Sequence, residues 1–313
     1  MLAAVAALLF LIGYSSQRSG VCMVRAVQEL VVRQRLHRLA GLTLAAGWAM
    51  LVMGLAELAG AHPFETILGT RPDGLALAGG FVFALGTLLA GHCALGMLAA
   101  LTAGDLPRSA GIAAMFAAAV LLGPSMSGAA LMLPQRAAVP SPLAGHVLAA
   151  IAIGTIMVAL AAAYIHRRIG WRQPRGGWSP LVAMSLIGAA SGLLFALDRE
   201  WLYTSRIAQF AHGTHDTLAG LLAGPLVLVA GMTIAARRGG MFQLRAGRLR
   251  DWARSAAGGL LMGAGATLVP GGNDTMLFTG VPLLLPNLLA AYAVFAATLA
   301  LALLLRSRPR GGR

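Results

Sequence analysis

Residues 79–93 of the chain read GGFVFALGTLLAGHC, and residues 258–272 read GGLLMGAGATLVPGG. The two stretches align without a gap at an offset of 179 residues. They are identical at four positions of the first copy, which are Gly79, Gly80, Gly86 and Leu89. Self-similarity of this kind is typical of a repeated structural unit, so the pair of stretches predicts an internal repeat.

The composition is typical of a membrane protein. Of the 313 residues, 58% are hydrophobic and 11% are charged, and the mean hydropathy is +0.78. Soluble proteins contain about 25% charged residues, so this composition excludes a soluble globular protein and an intrinsically disordered chain. Two cysteines allow at most one disulfide, which excludes a disulfide scaffold. We therefore expect an all-α, polytopic membrane protein in which residues 1–313 form a single membrane domain.

Nine apolar stretches can cross a bilayer as helices, which requires about 20 residues each. We predict spans at 1–16, 39–60, 74–101, 109–133, 143–165, 180–197, 208–236, 255–276 and 284–305. If successive spans alternate in direction, 20 of the 24 arginines lie on one side, and the chain has no lysine. The positive-inside rule then places the protein in the cell (inner) membrane, with the N-terminus outside and the C-terminus in the cytoplasm. Because the arginines lie between apolar stretches, we expect them to fix this orientation and not to bind nucleic acid.

The two similar stretches fall in the third and eighth predicted spans, which run in opposite directions. They predict an inverted-topology pseudo-repeat, with halves at about 1–133 and 180–305 and a linking span at 143–165. In transporters built in this way, the substrate site lies near the middle of the membrane, where the halves meet. Generic packing of glycine-rich helices is the alternative explanation of the match.

Both similar stretches end in sequence that breaks a helix, at residues 91–93 (GHC) and 270–274 (PGGND). Irregular backbone inside a membrane is stable only where it is buried in protein or lines a cavity. Broken helices at matching positions therefore indicate a substrate path. His92, Asn273 and Asp274 are the polar residues at these breaks, and Asp274 requires a partner. We expect Asp274 to cap the following short helix, and a role in proton coupling is the alternative.

A third polar segment, GYSSQRSGVCMVR at residues 13–25, is too polar for a span and too apolar for an ordinary loop. A short re-entrant helix that starts at Ser19 and Gly20 fits it. Such a start would direct backbone amides and the positive end of the helix dipole toward an anion, with Arg18 close by. A loop that anchors the chain by its positive charge is the alternative.

Cys22 and Cys93 each follow a glycine that breaks a helix. A cysteine in an apolar span is usually a small hydrophobic residue. A pair of thiols along a path would suit a sulfur-bearing ligand, because a thiol is a weak hydrogen-bond donor and a soft acceptor. Sulfur atoms several ångströms apart across a cavity would favour a relay, and sulfurs about 2.05 Å apart would indicate a disulfide. Burial at two separate lipid-facing positions would exclude both.

Signals for other classes of protein are weak. His212, His215 and Asp216 have a spacing that could ligate a metal, but the glycine and threonine between them favour an interfacial loop, and we predict no metal site and no cofactor. Residues 198–203 are typical of an outer loop with aromatic anchors. The chain has no nucleophile-elbow, Walker or zinc-protease motif in a fitting context, so we do not expect an enzyme.

Three motifs resemble the signature segments of the YeeE/YedE family of sulfur-transport membrane proteins. They are QRSGVC at 17–22, LAGHCALG at 89–96, and PGGND at 270–274 followed by TGVP at 279–282. The resemblance implies two pseudo-symmetric halves and short membrane-embedded helices that line a narrow route from the periplasm to the cytoplasm. It implies uptake of thiosulfate by S–H···S contacts without covalent chemistry, and a small cytoplasmic sulfurtransferase of the TusA type as the acceptor. Many relatives carry a third cysteine where this chain has Gly272.

The leading hypothesis is transport of a small inorganic sulfur anion, with thiosulfate as the first candidate. The predicted path residues are Gln17, Arg18, Ser19, Cys22, Gly91, His92, Cys93, Gly271, Gly272, Asn273 and Asp274. A membrane-embedded thiol redox or sulfur-handling protein is the rival hypothesis, although the chain lacks a C-x-x-C motif. A structural membrane subunit is the third, and it leaves the broken helices unexplained.

Overall fold

A computed structural model describes residues 2–20, 22–132, 138–168, 177–197, 202, 204 and 218–307 of the chain. Within these ranges the regular structure is helical, apart from one pair of two-residue strands, which confirms the prediction of an all-α membrane protein. The helices are α1 Leu2–Ser19, α2 Met23–Arg33, α3 His37–Leu58, α4 Pro63–Thr66, α5 Gly74–Ala90, α6 Ala94–Thr102, α7 Pro107–Met132, α8 Val147–Arg168, α9 Pro180–Leu197, α10 Leu218–Arg238, α11 Leu249–Leu268, α12 Asn273–Thr275 and α13 Pro286–Ser307. A π-helical segment, Met276–Gly280, continues α12. The strands β1 Gly69–Thr70 and β2 Ala138–Val139 pair antiparallel.

Each of the nine predicted spans overlaps one long helix in the described part of the chain. Six stretches there are long and apolar enough to cross a membrane, by length and composition. They are Leu2–Arg33, His37–Leu58, Gly74–Thr102, Val147–Arg168, Pro180–Leu197 and Pro286–Ser307. The protein is therefore a multi-pass membrane protein. The start of the seventh predicted span, residues 208–217, lies outside the described residues.

The helix breaks account for the largest differences from the predicted spans. The third span is divided at Gly91, which ends α5 in the left-handed conformation that glycine adopts without strain (φ 74°). The eighth span, predicted at 255–276, is divided at the predicted break, because α11 ends at Leu268. Pro270 has no amide hydrogen to continue the helical ladder, and Gly271 follows with φ 141°.

The short helix predicted near residue 19 is present, but it begins later. The chain turns at Gly20 (φ 64°), and α2 starts at Met23 with Cys22 as its N-cap. In the first turn of α2, Met23, Val24 and Ala26 are buried, whereas Arg25 and the end of the helix at Arg33 are exposed. The N-terminus of α2 therefore points into the protein.

The two similar stretches pack against each other through their shared glycines. A Cβ on Gly86 would lie 2.7 Å from the carbonyl oxygen of Gly258, and a Cβ on Gly265 would lie 2.7 Å from that of Gly79. Helix α5 therefore packs antiparallel on α11 at backbone contact, as small residues allow in membranes. Helix α7 packs on the other side of α11, α13 packs on α5, and α1 packs on α9 and α10.

Loop contacts define two faces of the molecule. On one face, the amide of Gln243 donates to the carbonyl of Ala103 at 2.8 Å, and the amide of Trp178 donates to the carbonyl of Arg18 at 3.3 Å. On the other face β1 pairs with β2, and the hydroxyl of Ser141 donates to the carbonyl of Leu283 at 2.6 Å. The loops on the first face belong to the arginine-rich set that the sequence assigns to one side.

Candidate substrate path

Two broken helices bring the two cysteines together. Cys22 is the N-cap of α2 and Cys93 is the N-cap of α6. The thiol of Cys93 donates a hydrogen bond to the sulfur of Cys22 at 3.6 Å, and both residues are buried. Both are free thiols, since a disulfide requires about 2.05 Å between the sulfurs. The separate lipid-facing arrangement is excluded, and the thiols are in direct contact.

Both short helices direct their N-termini at this pair of thiols. Neither Cys22 nor Cys93 forms a side-chain hydrogen bond that caps its helix. The first amides of an α-helix have no partner within the helix, and they carry the positive end of its dipole. The convergence of two such ends on the thiols makes the site favourable for an anion.

Gly96 lies directly against both sulfur atoms. A Cβ at this position would lie 3.1 Å from Sγ of Cys22 and 3.4 Å from Sγ of Cys93. The sequence prediction quoted Gly96 within a motif but did not select it. The feature that could have identified Gly96 from the sequence is its position three residues after Cys93, one helical turn along α6.

A cavity of about 220 Å³, which we call the vestibule, borders Cys22. Its wall is formed by Gln17, Gly20, Cys22, Arg25, His92, Gly96, Ala99, Ala100, Ala103 and Met241. Arg25 is the permanently charged residue among them, so the vestibule favours anions. A larger groove of about 330 Å³ also includes Arg25, together with Arg33 and Arg38. The sequence prediction treated Arg25 only as part of the positive loop.

Neighbouring helices hold the polar wall of the vestibule in place. The buried amide of Gln17 lies 3.3 Å from the hydroxyl of Thr102, which donates to its Oε1. At the other break, Nη1 of Arg108 donates to the carbonyl of Ala90 at 2.8 Å, and Arg108 is itself ion-paired with Asp105 at 2.9 Å. The contact with Arg108 satisfies a carbonyl group at the C-terminal end of α5, just before His92.

Three predicted path residues lie beside the vestibule without lining it. The guanidinium of Arg18 is 5.6 Å from the ring centre of Tyr14, and Nη2 donates to the Tyr14 hydroxyl at 3.3 Å. Ser19 donates to the carbonyl of Ser16 at 3.2 Å. Gly91 is exposed at the end of α5. Arg25, and not Arg18, is the arginine that the structure places at the vestibule.

The second break forms a separate polar cluster around Thr204. The hydroxyl of Thr204 donates to Oδ1 of Asp274 at 2.6 Å, and it accepts from the amide of Gly272 at 2.9 Å. Helix α12 has Gly272 as its N-cap, without a side-chain cap. Asp274 thus has Thr204 as its side-chain partner, which the sequence did not predict. Asn273 is buried, and its Oδ1 has no hydrogen-bond partner among the described residues.

Gly272 has no room for a side chain. A Cβ on it would lie 2.8 Å from Oδ1 of Asp274 and 2.9 Å from Cγ2 of Thr204. Gly271 is similarly confined, with a Cβ placed 2.6 Å from that of Thr275. The space beside Gly272 is therefore filled by the threonine and the carboxyl group.

The weak metal motif lies outside the described residues, since His212, His215 and Asp216 are not among them. In the described ranges, Glu57, His62 and Glu65 have potential ligand atoms within 4.8 Å of one another. The imidazole of His62 is 3.0 Å from a carboxylate oxygen of Glu57. This contact accounts for the proximity of His62 and Glu57.

The chain matches the model of a known protein family. A family model described as "Sulphur transport" matches residues 18–302. This range includes both cysteines, the vestibule apart from Gln17, and the Thr204 cluster. No curated protein matches the chain.

Proposed function

Since the chain belongs to the YeeE/YedE family of sulfur-transport membrane proteins, we propose that it takes up a small inorganic sulfur anion, with thiosulfate as the first candidate. The observation that carries the proposal is the contact between Cys22 and Cys93 at two converging helix N-termini, beside a vestibule that contains Arg25. A dianion with a terminal sulfur matches this combination of amides, positive charge and thiols.

The proposed passage is non-covalent. Helix amides and Arg25 attract the anion, and the thiols of Cys22 and Cys93 donate weak hydrogen bonds to it. Weak donors suit a transport site, because the anion must leave again. Gly96 keeps the space next to the thiols open.

The proposed path has two sections. The first is the vestibule with Gln17, His92 and the thiols, and the ends of α1 and α5 support it through Arg18, Ser19 and Gly91. The second is the cluster at the other break, with Gly271, Gly272, Asn273 and Asp274.

We propose that the two sections belong to the halves of an inverted repeat, at about 1–133 and 180–305, with α8 as the linking span. Two contacts support this arrangement. Gly79 packs against Gly265, and Gly86 packs against Gly258. Gly79 and Gly258 occupy matching positions 179 residues apart, and so do Gly86 and Gly265. Exchange of the matching positions therefore converts one contact into the other, as a two-fold axis between α5 and α11 would require.

We assign the arginine-rich face to the cytoplasm of the inner membrane, by the positive-inside rule. The vestibule then opens toward the cytoplasm through Met241, which lies in the loop after α10. A TusA-type sulfurtransferase is our candidate acceptor there. The groove there also contains Glu29, which is ion-paired with Arg38 at 3.4 Å, so Arg25 and Arg33 are the residues that would attract an acidic partner surface.

Growth on thiosulfate tests the proposal. Cells that cannot import thiosulfate should grow on it as sole sulfur source when they produce the wild-type protein. They should not grow with Cys22→Ala or Cys93→Ala at equal membrane abundance. Met50→Leu is the matched control, because Met50 is also a buried sulfur side chain but lies in α3. Absence of growth with well-inserted wild type would exclude thiosulfate as the substrate. Growth of all variants would show that transport does not require the thiols.

A membrane thiol redox protein is the second candidate, and the 3.6 Å separation of the sulfurs favours it. Such a protein would cycle between two thiols and a disulfide and would need a membrane reductant or oxidant. Uptake by reduced protein in liposomes that contain no redox partner would distinguish the transporter from this alternative.

A further inference from the structure

The second break holds a buried carboxyl group that the thiol section does not use. Asp274 is 4% exposed. Its Oδ1 accepts from Thr204, but its Oδ2 has no hydrogen-bond partner among the described residues. Among the described residues, no cation forms an ion pair with Asp274. Burial of an unpaired carboxylate is costly, whereas a protonated carboxyl group is neutral and can donate from Oδ2.

A small cavity of about 10 Å³ borders this carboxyl group. Among the described residues of its wall, Asp274 and Ser16 are the polar ones. The hydroxyl of Ser16 is buried and, within the described residues, also has no acceptor or donor. A volume of about 10–15 Å³ accommodates one water molecule. The two polar groups therefore face a space that suits the transfer of a proton.

The cavity lies next to the vestibule. Consecutive residues of two helices line the two spaces, with Gln17 and Gly96 at the vestibule and Ser16 and Leu95 at the small cavity. An anion that passes the thiols therefore comes close to Asp274. An ionised carboxylate would repel it across a medium of low dielectric constant, and a protonated carboxyl group would not.

Within the described ranges, the charges around the cavity do not neutralise the carboxylate. Helix α9 and the π-helical segment carry no titratable residue. The described titratable groups on or beside α1, α6 and α10 are Tyr14, Arg18, Cys22, His92, Cys93, Asp105, Arg237 and Arg238. Helices α3 and α13, which pack on the π-helical segment, carry His37, Arg38, Glu57, Tyr292 and Arg306. Arg18 donates a hydrogen bond to the hydroxyl of Tyr14, and the guanidinium of Arg237 lies 5.4 Å from the ring centre of Phe242. Neither arginine is paired with Asp274.

We propose that Asp274 is the proton-binding site of a proton-coupled transport cycle. This inference rests on the proposed function, and it names the ion that is transported with the anion. A proton from the outer solution binds to Oδ2, the anion passes the neutral carboxyl group, and the proton then leaves to the cytoplasm. The O–H bond of the carboxyl group is the bond that forms and breaks.

Liposomes that contain the purified full-length protein test the inference. An inward proton gradient should increase thiosulfate accumulation by the wild type several-fold, and added thiosulfate should make the outer solution more alkaline. Asp274→Asn should lose both proton effects. Asp73→Asn is the matched control, because Asp73 is an N-cap of α5 and asparagine caps a helix equally well. The control should behave as the wild type.

Wild-type protein that exchanges thiosulfate but ignores the proton gradient would overturn the inference and leave the proposed function intact. Asp274→Asn that still responds to the gradient would also overturn it. Infrared spectroscopy provides a test that needs no substrate. The wild type should show the C=O band of a protonated carboxyl group that Asp274→Asn lacks, and the same spectrum in both proteins would contradict a proton on Asp274.

Discussion

Sγ of Cys93 lies 3.6 Å from Sγ of Cys22, although 71 residues separate them in the chain. Each cysteine is the N-cap of a short helix, and the two helices begin next to each other inside the protein. Such a contact brings thiol donors and helix amides to one place, and Arg25 adds a positive charge nearby. The consequences of this arrangement can be measured.

Oxidation should link the two thiols. Copper phenanthroline accepts two electrons, and the thiols release two protons as the S–S bond forms, which requires the sulfurs to approach from 3.6 Å to about 2.05 Å. We expect uptake to fall on oxidation and to return with dithiothreitol. Mass spectrometry of peptides should detect the cross-link. Cys22→Ala should show no link, and failure of the wild type to form one would contradict the short distance.

Gly96→Ala should slow uptake without unfolding the protein. The new Cβ would lie 3.1 Å from Sγ of Cys22 and would narrow the space at the thiols. Overpacking costs about 1–3 kcal/mol, and an equal rise in the barrier for passage lowers the rate about 5- to 160-fold. Gly74→Ala is the control, because a Cβ there has no neighbour within 4 Å. Equal uptake by both variants would show that Gly96 does not limit the path.

Gly86→Ala should lower the thermal stability of the protein in detergent. Its Cβ would lie 2.7 Å from the carbonyl oxygen of Gly258 and 2.7 Å from the amide nitrogen of Met262, so α5 and α11 would have to separate. We expect a loss of about 1–3 kcal/mol. Gly224→Ala, whose Cβ would be 3.6 Å from Leu9, should be neutral or stabilising. If Gly86→Ala unfolds at the same temperature as the wild type, the close packing of these helices is contradicted.

Gly272→Cys should not extend the thiol path. A side chain at this position collides with the carboxyl group of Asp274 and with Thr204. We expect lower uptake, measured with Gly272→Cys as the single substitution. We also expect a disturbed second break, measured by thiol labelling of Gly272→Cys in the Cys22→Ala, Cys93→Ala background. Faster uptake by Gly272→Cys would show that the cluster makes room for a third thiol.

The sequence predicts the broken helices well, because glycine and proline control the backbone locally. Breaks at Gly20, Gly91 and Pro270 were all evident from residue type alone. The partners across the breaks were not evident. Thr204 reaches Asp274 from 70 residues away, and no local pattern records that contact.

Side-chain direction was the other feature that the sequence left open. Arg18 and Arg25 both flank the first break, and the sequence favoured Arg18 because it is closer to Gly20. The end of α1 turns Arg18 toward Tyr14, whereas α2 places Arg25 on the vestibule wall. The choice depends on the relative orientation of two helices, which residue spacing across a break does not fix.

Uptake of radiolabelled thiosulfate by the purified protein in liposomes is the most direct test of the central claim. We predict saturable uptake by the wild type under reducing conditions, and its loss in Cys22→Ala and in Cys93→Ala while Met50→Leu remains active. Uptake by both cysteine variants at the wild-type rate would contradict a path through the thiols.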